Sequence, residues 1–124
     1  MVRLKMVGGL LGQWACWTHR AVALVADVKR IAGTGKIAPE MLTLAAQITD
    51  ANGAIFDAAN NFAGCIPGIH EVLRGQGLMR GTWCLDPQEK LSPGQREEID
   101  RVREGYAHLH DDAFVAEHRD EWLR

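Results

Sequence analysis

The stretch DAANNFAGCIPGIHEVLRGQGL, residues 57–78, decides how the rest of the chain is arranged. It combines an Asn-Asn pair, a Gly, a Cys and a Pro, a mixture that ends one helix and starts another. Pro67 suits the first turn of a short helix, because the first N–H groups of a helix have no partner within it. Gly75 and Gly77 are expected to end that helix. Apolar periodicity on either side predicts two helices before this stretch and two after it.

Two amphipathic helices are predicted upstream of this stretch. Thr18 is expected to cap the first helix, and Gly33 to end it. Pro39 is expected in the first turn of the second helix, which is apolar on two faces and should therefore lie buried between neighbours. Gly53 costs about 1 kcal/mol relative to Ala inside a helix, so a close helix crossing is expected there. The second helix is expected to end near Asn60.

Two further helices are predicted downstream, after an irregular segment over residues 79–90. Ser92, Pro93 and Gln95 have the spacing of a capping box at the start of the fourth helix. Asp111 is expected to cap the fifth helix. The predicted inward faces of these two helices consist of Ile99, Val102, Tyr106, Leu109, Phe114, Val115, His118 and Trp122.

The N-terminal residues 2–7 alternate between apolar and basic side chains, with Val2, Leu4 and Met6 on one side. This alternation predicts a short strand, which Gly8 and Gly9 end. A lone strand leaves its backbone groups unpaired and needs a neighbouring strand from elsewhere. The predicted fold is therefore mainly α, a single helical domain over residues 1–124 with five helices and one short N-terminal strand.

Composition excludes several classes of protein. The net charge of −2 gives no basic surface for nucleic acid. No apolar run reaches the ~18 residues of a membrane span, and the N-terminus lacks a signal-peptide cleavage pattern. Cys16, Cys65 and Cys84 are widely spaced and odd in number, which indicates free thiols in a reducing compartment. We therefore expect a cytoplasmic protein with no nucleic-acid partner and no membrane partner.

The sequence HLHDD, residues 108–112, offers imidazole and carboxylate groups that could bind a metal ion together with His118. A simpler interpretation is favoured. Asp111 serves as a helix cap, and His108 and His110 flank a turn and face water. No metal site is predicted.

Cys65 lies near Asn60, Asn61 and His70 in the sequence, a set that could supply a thiol nucleophile and a base. Free cysteine is, however, among the most buried residue types. In addition, His70 falls in the first turn of a helix, where the dipole disfavours a charged imidazole. No catalytic nucleophile and no cofactor are predicted from these residues.

Asp57 lies one helical turn from Asn61, and a polar network there either ties the loop or faces a binding site. The loop-tying role is favoured. The tryptophans are assigned to core and interface positions rather than to a sugar- or base-stacking platform; they are Trp14, Trp17, Trp83 and Trp122.

Four segments carry a resemblance to a known family: FDAANN (56–61), IPGIHEVLRGQGL (66–78), GTWCLDP (81–87) and LSPGQREEIDRV (91–102). Their order and spacing resemble the C-terminal end of the dihydrodipicolinate synthase / N-acetylneuraminate lyase family. Residues 5–9 resemble the eighth barrel strand of that family, and residues 14–32 the helix after it. The chain departs from the family at residues 62–66, which stand in place of a Pro-x-Pro loop.

The resemblance implies the end of a (β/α)8 barrel with a C-terminal helical extension, from an enzyme that is usually a tetramer. Such enzymes form a Schiff base between a barrel lysine and pyruvate or a related 2-oxo acid. A complete barrel needs about 250 residues, so this chain holds at most the last strand and no catalytic residue is assigned to it. Its lysines all lie outside a matching context: Lys5, Lys29, Lys36 and Lys90. The substrate-binding candidates are Gly8, Gly9, Asp57 and Asn61.

Two functional hypotheses follow. In the first, the chain is the C-terminal portion of a homo-oligomeric Schiff-base aldolase or lyase, and is inactive alone. In the second, it is a free-standing helical interaction domain that dimerises through a Trp-rich N-terminal face and has no catalytic activity. The N-terminal residues separate the two hypotheses, because only the first requires a partner strand for residues 2–7.

Overall fold

The structure is a computed structural model, and it describes residues 4, 7–9 and 12–124. The described part is mainly α, as predicted, and contains two 3-10 turns at Gln13–Ala15 and Ala58–Asn60. The predicted strand at residues 2–7 falls largely outside the described residues; its described members, Leu4 and Val7, are exposed and have no regular structure. The described helices are α1 (Thr18–Thr34), α2 (Glu40–Ile55), α3 (Cys65–Gly75), α4 (Gln95–Gly105) and α5 (Asp112–Trp122).

The core forms where α2 packs against α3 and α4. Ile55, Ile99 and Val102 are at most 2% exposed there, and burying each such side chain contributes about 1.5–3 kcal/mol. Cys16 and Trp17, just before α1, complete this core. The apolar stripe predicted for α4 is thereby confirmed.

Helix α1 lies at the edge of the molecule. Ala21 is its one buried residue, whereas Val22, Val25 and Val28 are 66%, 39% and 44% exposed. The helix is held at its N-terminal end, where the His19 N–H donates to Asp111 Oδ2 at 2.9 Å. The apolar face that helical spacing predicts for α1 consists of Ala21, Leu24, Val25, Val28 and Ala32, and Val25, Val28 and Ala32 have no cover within the described part of the chain.

The predicted ends of α1 are wrong in detail. Trp17, in the left-handed region with φ 57°, occupies the cap position, and the Thr18 hydroxyl donates to the Trp14 carbonyl instead of capping. The helix continues past Gly33 to Thr34, and Gly35 ends it with φ 67°. Glycine favours that conformation because it has no Cβ to clash.

Three expectations for α2 are also wrong. The helix ends at Ile55 rather than near Asn60, because Asp57 takes a left-handed conformation with φ 59°. Its second apolar face is not buried, since Leu42 is 72% exposed. A Cβ at Gly53 would have nothing within 4 Å, whereas one at Gly68 would collide with the Ile55 carbonyl oxygen, so the close approach is at α3.

The predicted capping box at α4 is only half formed, and the predicted start of the helix is wrong, because Gly94, with φ 83°, occupies the cap position and α4 begins at Gln95. The Ser92 N–H donates to Gln95 Oε1 at 3.1 Å, but the Ser92 hydroxyl points at Asp57 instead of the helix. Asp111 occupies the cap position of α5, but its side chain makes no capping bond. The inner side of α5 is only partly buried: Val115 is 5% exposed and Trp122 is 48% exposed.

The cysteines carry free thiols, with Cys16 buried and Cys65 and Cys84 half-buried. Within the described part of the chain, none of the helices has the length and apolar character needed to cross a membrane.

Candidate functional site

The buried carboxylate of Asp57 is the centre of a hydrogen-bond network, the Asp57 knot, formed with Asn60, Gly64, Ser92 and Gln95. Asp57 is 3% exposed, and its Oδ1 accepts the Asn60 Nδ2–H at 2.7 Å. Its Oδ2 accepts the Gly64 N–H at 2.9 Å and the Ser92 hydroxyl at 2.5 Å. The network joins the end of α2 to the starts of α3 and α4.

Gln95 supplies the second half of the knot and is 3% exposed. Its Nε2 donates to the carbonyl oxygens of Ile55 and Gly64, at 3.2 and 2.9 Å. Its Oε1 accepts the Ser92 N–H. A Cβ at Gly64 would collide with the Gln95 amide, so this close approach requires glycine.

The electrostatics of the knot favour a structural role. Burial alone would raise the pKa of Asp57, but hydrogen bonds from Asn60, Ser92 and the Gly64 amide outweigh it and hold that pKa below its ordinary value. The carboxylate is thus ionised, accepts three hydrogen bonds and is almost closed to solvent. Such a group can lock three chain segments together, and its burial leaves a substrate little access to it.

The four substrate-binding candidates lie in different surroundings. Gly8 and Gly9 are exposed, and a Cβ added to them would meet nothing within 4 Å at Gly8 and the Trp14 indole at Gly9. Asn61 is exposed beside the knot, with φ 53°. Asp57 is buried, and its carboxylate is bound within the knot. A binding role for these four residues stays a prediction.

A second buried carboxylate, Asp111, joins three helices. Asp111 is 6% exposed and accepts the Gln76 Nε2–H on Oδ1 at 2.9 Å, in addition to the His19 N–H on Oδ2. Gln76 also donates to Asp112 Oδ1 at 3.0 Å, and Arg103 donates to Asp112 Oδ2 at 2.6 Å. The acids of the HLHDD sequence thus bind protein groups. Among the described residues there is no group of three side chains suited to holding a metal ion.

A third buried carboxylate, Glu71, was not singled out from the sequence. It is 4% exposed and binds Arg74 through two hydrogen bonds of 2.6 and 2.8 Å, with Arg96 at 3.3 Å. The hydrogen bonds from Arg74 are the main cause that lowers the pKa of Glu71. The i, i+3 spacing of Glu71 and Arg74 was the available signal, but it does not indicate burial.

The thiols are not arranged as nucleophiles. His70, which is near Cys65 in the sequence, lies next to Cys84, with 3.8 Å between Nδ1 and the sulfur. Burial first, and then the negative charge of Glu89, raise the pKa of both Cys65 and Cys84. Since the thiolate is the nucleophilic form, these thiols are held in their less reactive form at neutral pH.

Two concave regions lie outside these networks. A groove of about 150 Å³ runs between α1 and α2, with an apolar floor that includes Leu24, Leu44 and Ile48. Gln13 contributes to its wall; that side chain is 1% exposed, and its Oε1 has no hydrogen-bond partner in the described part of the chain.

The larger region, the Trp83 cleft, lies beside α3 and has a volume of about 470 Å³. Trp83 and Leu85 are 67% and 106% exposed. A cleft of this size is within the range of binding sites, and its most exposed walls are apolar. It is formed by Ile66, His70, Trp83, Cys84, Leu85 and Glu89.

Comparisons of this chain with protein-family models, with curated proteins and with solved structures give no match. The chemistry open to the chain therefore rests on its own residues. The Asp57 knot and the Asp111 and Glu71 networks contain the most buried carboxylates of the described residues, and each carboxylate binds groups of the chain itself. The uncovered edge of α1, the groove beside it and the Trp83 cleft are surfaces in the described part of the chain that are open to a partner.

Proposed function

We propose that the chain is the C-terminal helical portion of a Schiff-base aldolase or lyase similar to the dihydrodipicolinate synthase / N-acetylneuraminate lyase family, acting on pyruvate or a related 2-oxo acid. The observation that supports this best is the apolar edge of α1. Val22, Val25 and Val28 lie on a well-formed helix of 17 residues and are nevertheless exposed. An apolar helix face without cover is normally buried against another element.

The resemblance to that family implies that a barrel would cover this edge of α1. In a (β/α)8 barrel, each helix packs on the strands and on the neighbouring helices. Helix α1 corresponds in order to the helix that follows the last strand. A barrel packed against Val22 and Val25 would remove their apolar surface from water, at about 25 cal/mol per Å².

In such an enzyme the chain would contribute position rather than the reacting group. The residues from Gly8 to Gln13 would lie at the C-terminal rim of the barrel, where active sites of this fold are found. The Schiff-base lysine would come from an earlier strand, and no cofactor is required. The helices α2 to α5 would form the extension and supply contacts between the subunits of a homo-oligomer.

Borohydride trapping tests the proposal. The complete protein that contains this chain is incubated with pyruvate and reduced, and the modified lysine is located by mass spectrometry. We expect a reduced adduct on a lysine that precedes residue 1. Failure of the complete protein to form an adduct with pyruvate or with related 2-oxo acids would contradict the proposal.

The isolated chain is the matched control. It should form no adduct, because Lys5, Lys29, Lys36 and Lys90 lie outside any Schiff-base context. A stoichiometric adduct on one of these four lysines would show that the chain carries its own reactive amine, and the assignment to a C-terminal portion would then be wrong.

The same edge of α1 supports a second candidate, a free-standing helical interaction domain. Of the two tryptophans of the N-terminal face, Trp17 is 1% exposed and lies in the core, whereas Trp14 is half-buried. A dimer would instead use Val22, Val25 and Val28. Limited proteolysis of the isolated chain separates the candidates: cleavage within residues 1–9 favours the first, and a protected N-terminus with a dimeric sedimentation coefficient favours the second.

A further inference from the structure

The Trp83 cleft exposes several neighbouring apolar side chains to solvent. Leu85 is fully exposed, and Trp83 and Ile66 are 67% and 44% exposed around the same cleft. Contiguous exposed apolar residues mark interaction sites, and tryptophan is the residue type most enriched among those that dominate binding energy.

The Trp83 ring is held in place by the backbone beneath it. A Cβ at Gly81 would collide with Cε3, Cζ3 and Cη2 of the ring, so the ring lies directly on the glycine. Its other surroundings leave it two-thirds exposed. The residue therefore presents an aromatic surface whose orientation is already fixed. Binding of a partner then costs little side-chain conformational entropy at this position.

The cleft is also negatively charged. Glu89 forms part of its wall, and both Glu89 and Asp86 act on the thiol of Cys84, raising its pKa after the effect of burial. Among the described residues, neither acid takes part in an ion pair. Of the six wall residues, none is a lysine or an arginine. The wall of the cleft thus combines an exposed indole with a carboxylate that forms no ion pair among the described residues.

We propose that the Trp83 cleft is a docking site for an arginine-bearing apolar segment of a partner protein, with the guanidinium stacked on Trp83 and paired with Glu89. Arginine fits this arrangement better than lysine does, because a guanidinium stacks on an aromatic face and binds a carboxylate with two parallel hydrogen bonds. The apolar neighbours of that arginine would pack on Ile66 and Leu85. The proposal stands independently of the aldolase assignment.

A capped tripeptide with arginine between two leucines is the probe, and citrulline in place of arginine gives a neutral probe of the same shape. Binding to the full chain is followed by NMR through the indole N–H signal of Trp83, which the Trp83→Leu variant identifies. We expect millimolar binding that weakens about fivefold or more with the citrulline peptide. No detectable binding of the arginine peptide, or equal binding of both peptides, would overturn the proposal.

Matched variants locate the interaction. Glu89→Gln should weaken binding about threefold or more, whereas Glu97→Gln, at an exposed position on α4, should leave it unchanged. Trp83→Leu, followed through the backbone amide signals of residues 84–89 because it lacks the indole, should abolish binding, whereas Trp122→Leu, at the half-exposed end of α5, should not. Equal effects of the two glutamate variants would show non-specific charge attraction and would overturn the assignment to the cleft.

An experiment with a small molecule distinguishes the docking of a protein segment from the binding of a free cation. Methylguanidinium carries the charge and the stacking surface without the apolar neighbours. For a docking surface it should bind at least about tenfold more weakly than the tripeptide, because it buries nothing on Leu85 and Ile66. Binding as tight as that of the tripeptide would mean that the cleft is a small-cation site, and the proposal of a protein partner would be wrong.

Discussion

At the scale of single residues, the loop before α3 depends on backbone conformations that few side chains adopt. Asp57, Asn61 and Phe62 all have φ between 53° and 65°. Asparagine and aspartate tolerate this region better than other non-glycine residues, whereas phenylalanine does not. The Asp57 knot supplies the hydrogen bonds that hold these conformations, and local strain of this kind persists only where the surroundings fix it.

We expect Asp57→Asn to destabilise the fold by about 2–3 kcal/mol. The amide keeps the shape and the tolerance of left-handed φ, but it replaces one acceptor oxygen with a donor, facing either Asn60 or the pair Gly64 and Ser92. Urea unfolding measures the loss. Asn61→Gly, at the exposed neighbour, should change stability by less than about 1 kcal/mol. Equal losses of stability in the two variants would mean that the backbone conformation of the loop, and not the carboxylate of Asp57, determines the contribution of this region.

The carboxylate of Asp50 contributes to the dependence of stability on pH in the acid range. Hydrogen bonds first from Arg101 and then from Tyr106 lower its pKa to about 2. A lowered pKa in the folded state means that the contribution is present above the unfolded pKa of about 3.9 and is lost as pH falls through the folded value. We expect stability to drop between about pH 4 and pH 2, measured by thermal unfolding.

Asp50→Asn is the control for that profile. It should be less stable at neutral pH and should show a shallower fall between about pH 4 and pH 2. The difference should be small, within about 1 kcal/mol, because Asp50 and Arg101 are 38% and 46% exposed and solvent screens the pair. A variant with an unchanged acid slope would assign the fall to Asp57 and Glu71, whose pKa values are also lowered.

At the scale of the elements, periodicity predicted the helices but not their closest contacts. The stripe of α4 was correct because Ile99 and Val102 recur at helical spacing. The capping interpretations failed in part, because Ser92 and Asp111 have side chains equally suited to capping and to tertiary bonds. Sequence spacing cannot distinguish a capping bond from a tertiary bond, since the outcome depends on which buried acceptor would otherwise lack a donor.

Two of the helical glycines, Gly53 and Gly68, give a matched pair of tests. Gly68→Ala should destabilise by about 3 kcal/mol or more, because its Cβ would collide with the Ile55 carbonyl and with Gln95 Nε2, and overpacking of this kind is costly. Gly53→Ala places its Cβ in open space inside α2 and should stabilise by about 1 kcal/mol. Thermal unfolding of both variants measures the difference. Similar destabilisation by the two would show that helix propensity and packing have been assigned wrongly.

At the scale of the whole molecule, α1 is attached to a core in which α2, α3 and α4 pack against one another. Its tertiary hydrogen bonds lie at the N-terminal end, where Asp111 accepts the His19 N–H and Arg20 donates to the His108 carbonyl. The sequence predicted the existence of α1 but could not show that its apolar face lacks cover. An amphipathic pattern predicts that one face of a helix is buried, but it does not identify the element that covers that face.

We expect amide hydrogen exchange to be fastest in the second half of α1 and slowest in α2 and α4, because exchange follows local opening. Asp111→Ala should accelerate exchange in α1 and α5 together, since Asp111 ties His19 and Gln76 to the start of α5. Asp120→Ala, which removes an exposed ion pair with Arg119, is the control. Acceleration confined to α5 would contradict the assigned role of Asp111.

The Asp57 knot also has a consequence for the time course of folding. The Ser92 hydroxyl reaches back 35 residues to Asp57, and the Gln95 amide reaches back 40 residues to Ile55. Chain closure over such separations costs entropy that local helix formation does not. During synthesis, α2 and α3 can form as soon as they leave the ribosome, but the loop between them stays unlocked until residues 92–95 emerge. A nascent chain arrested before that point should thus be sensitive to protease at residues 57–64, and one arrested well beyond it should be resistant.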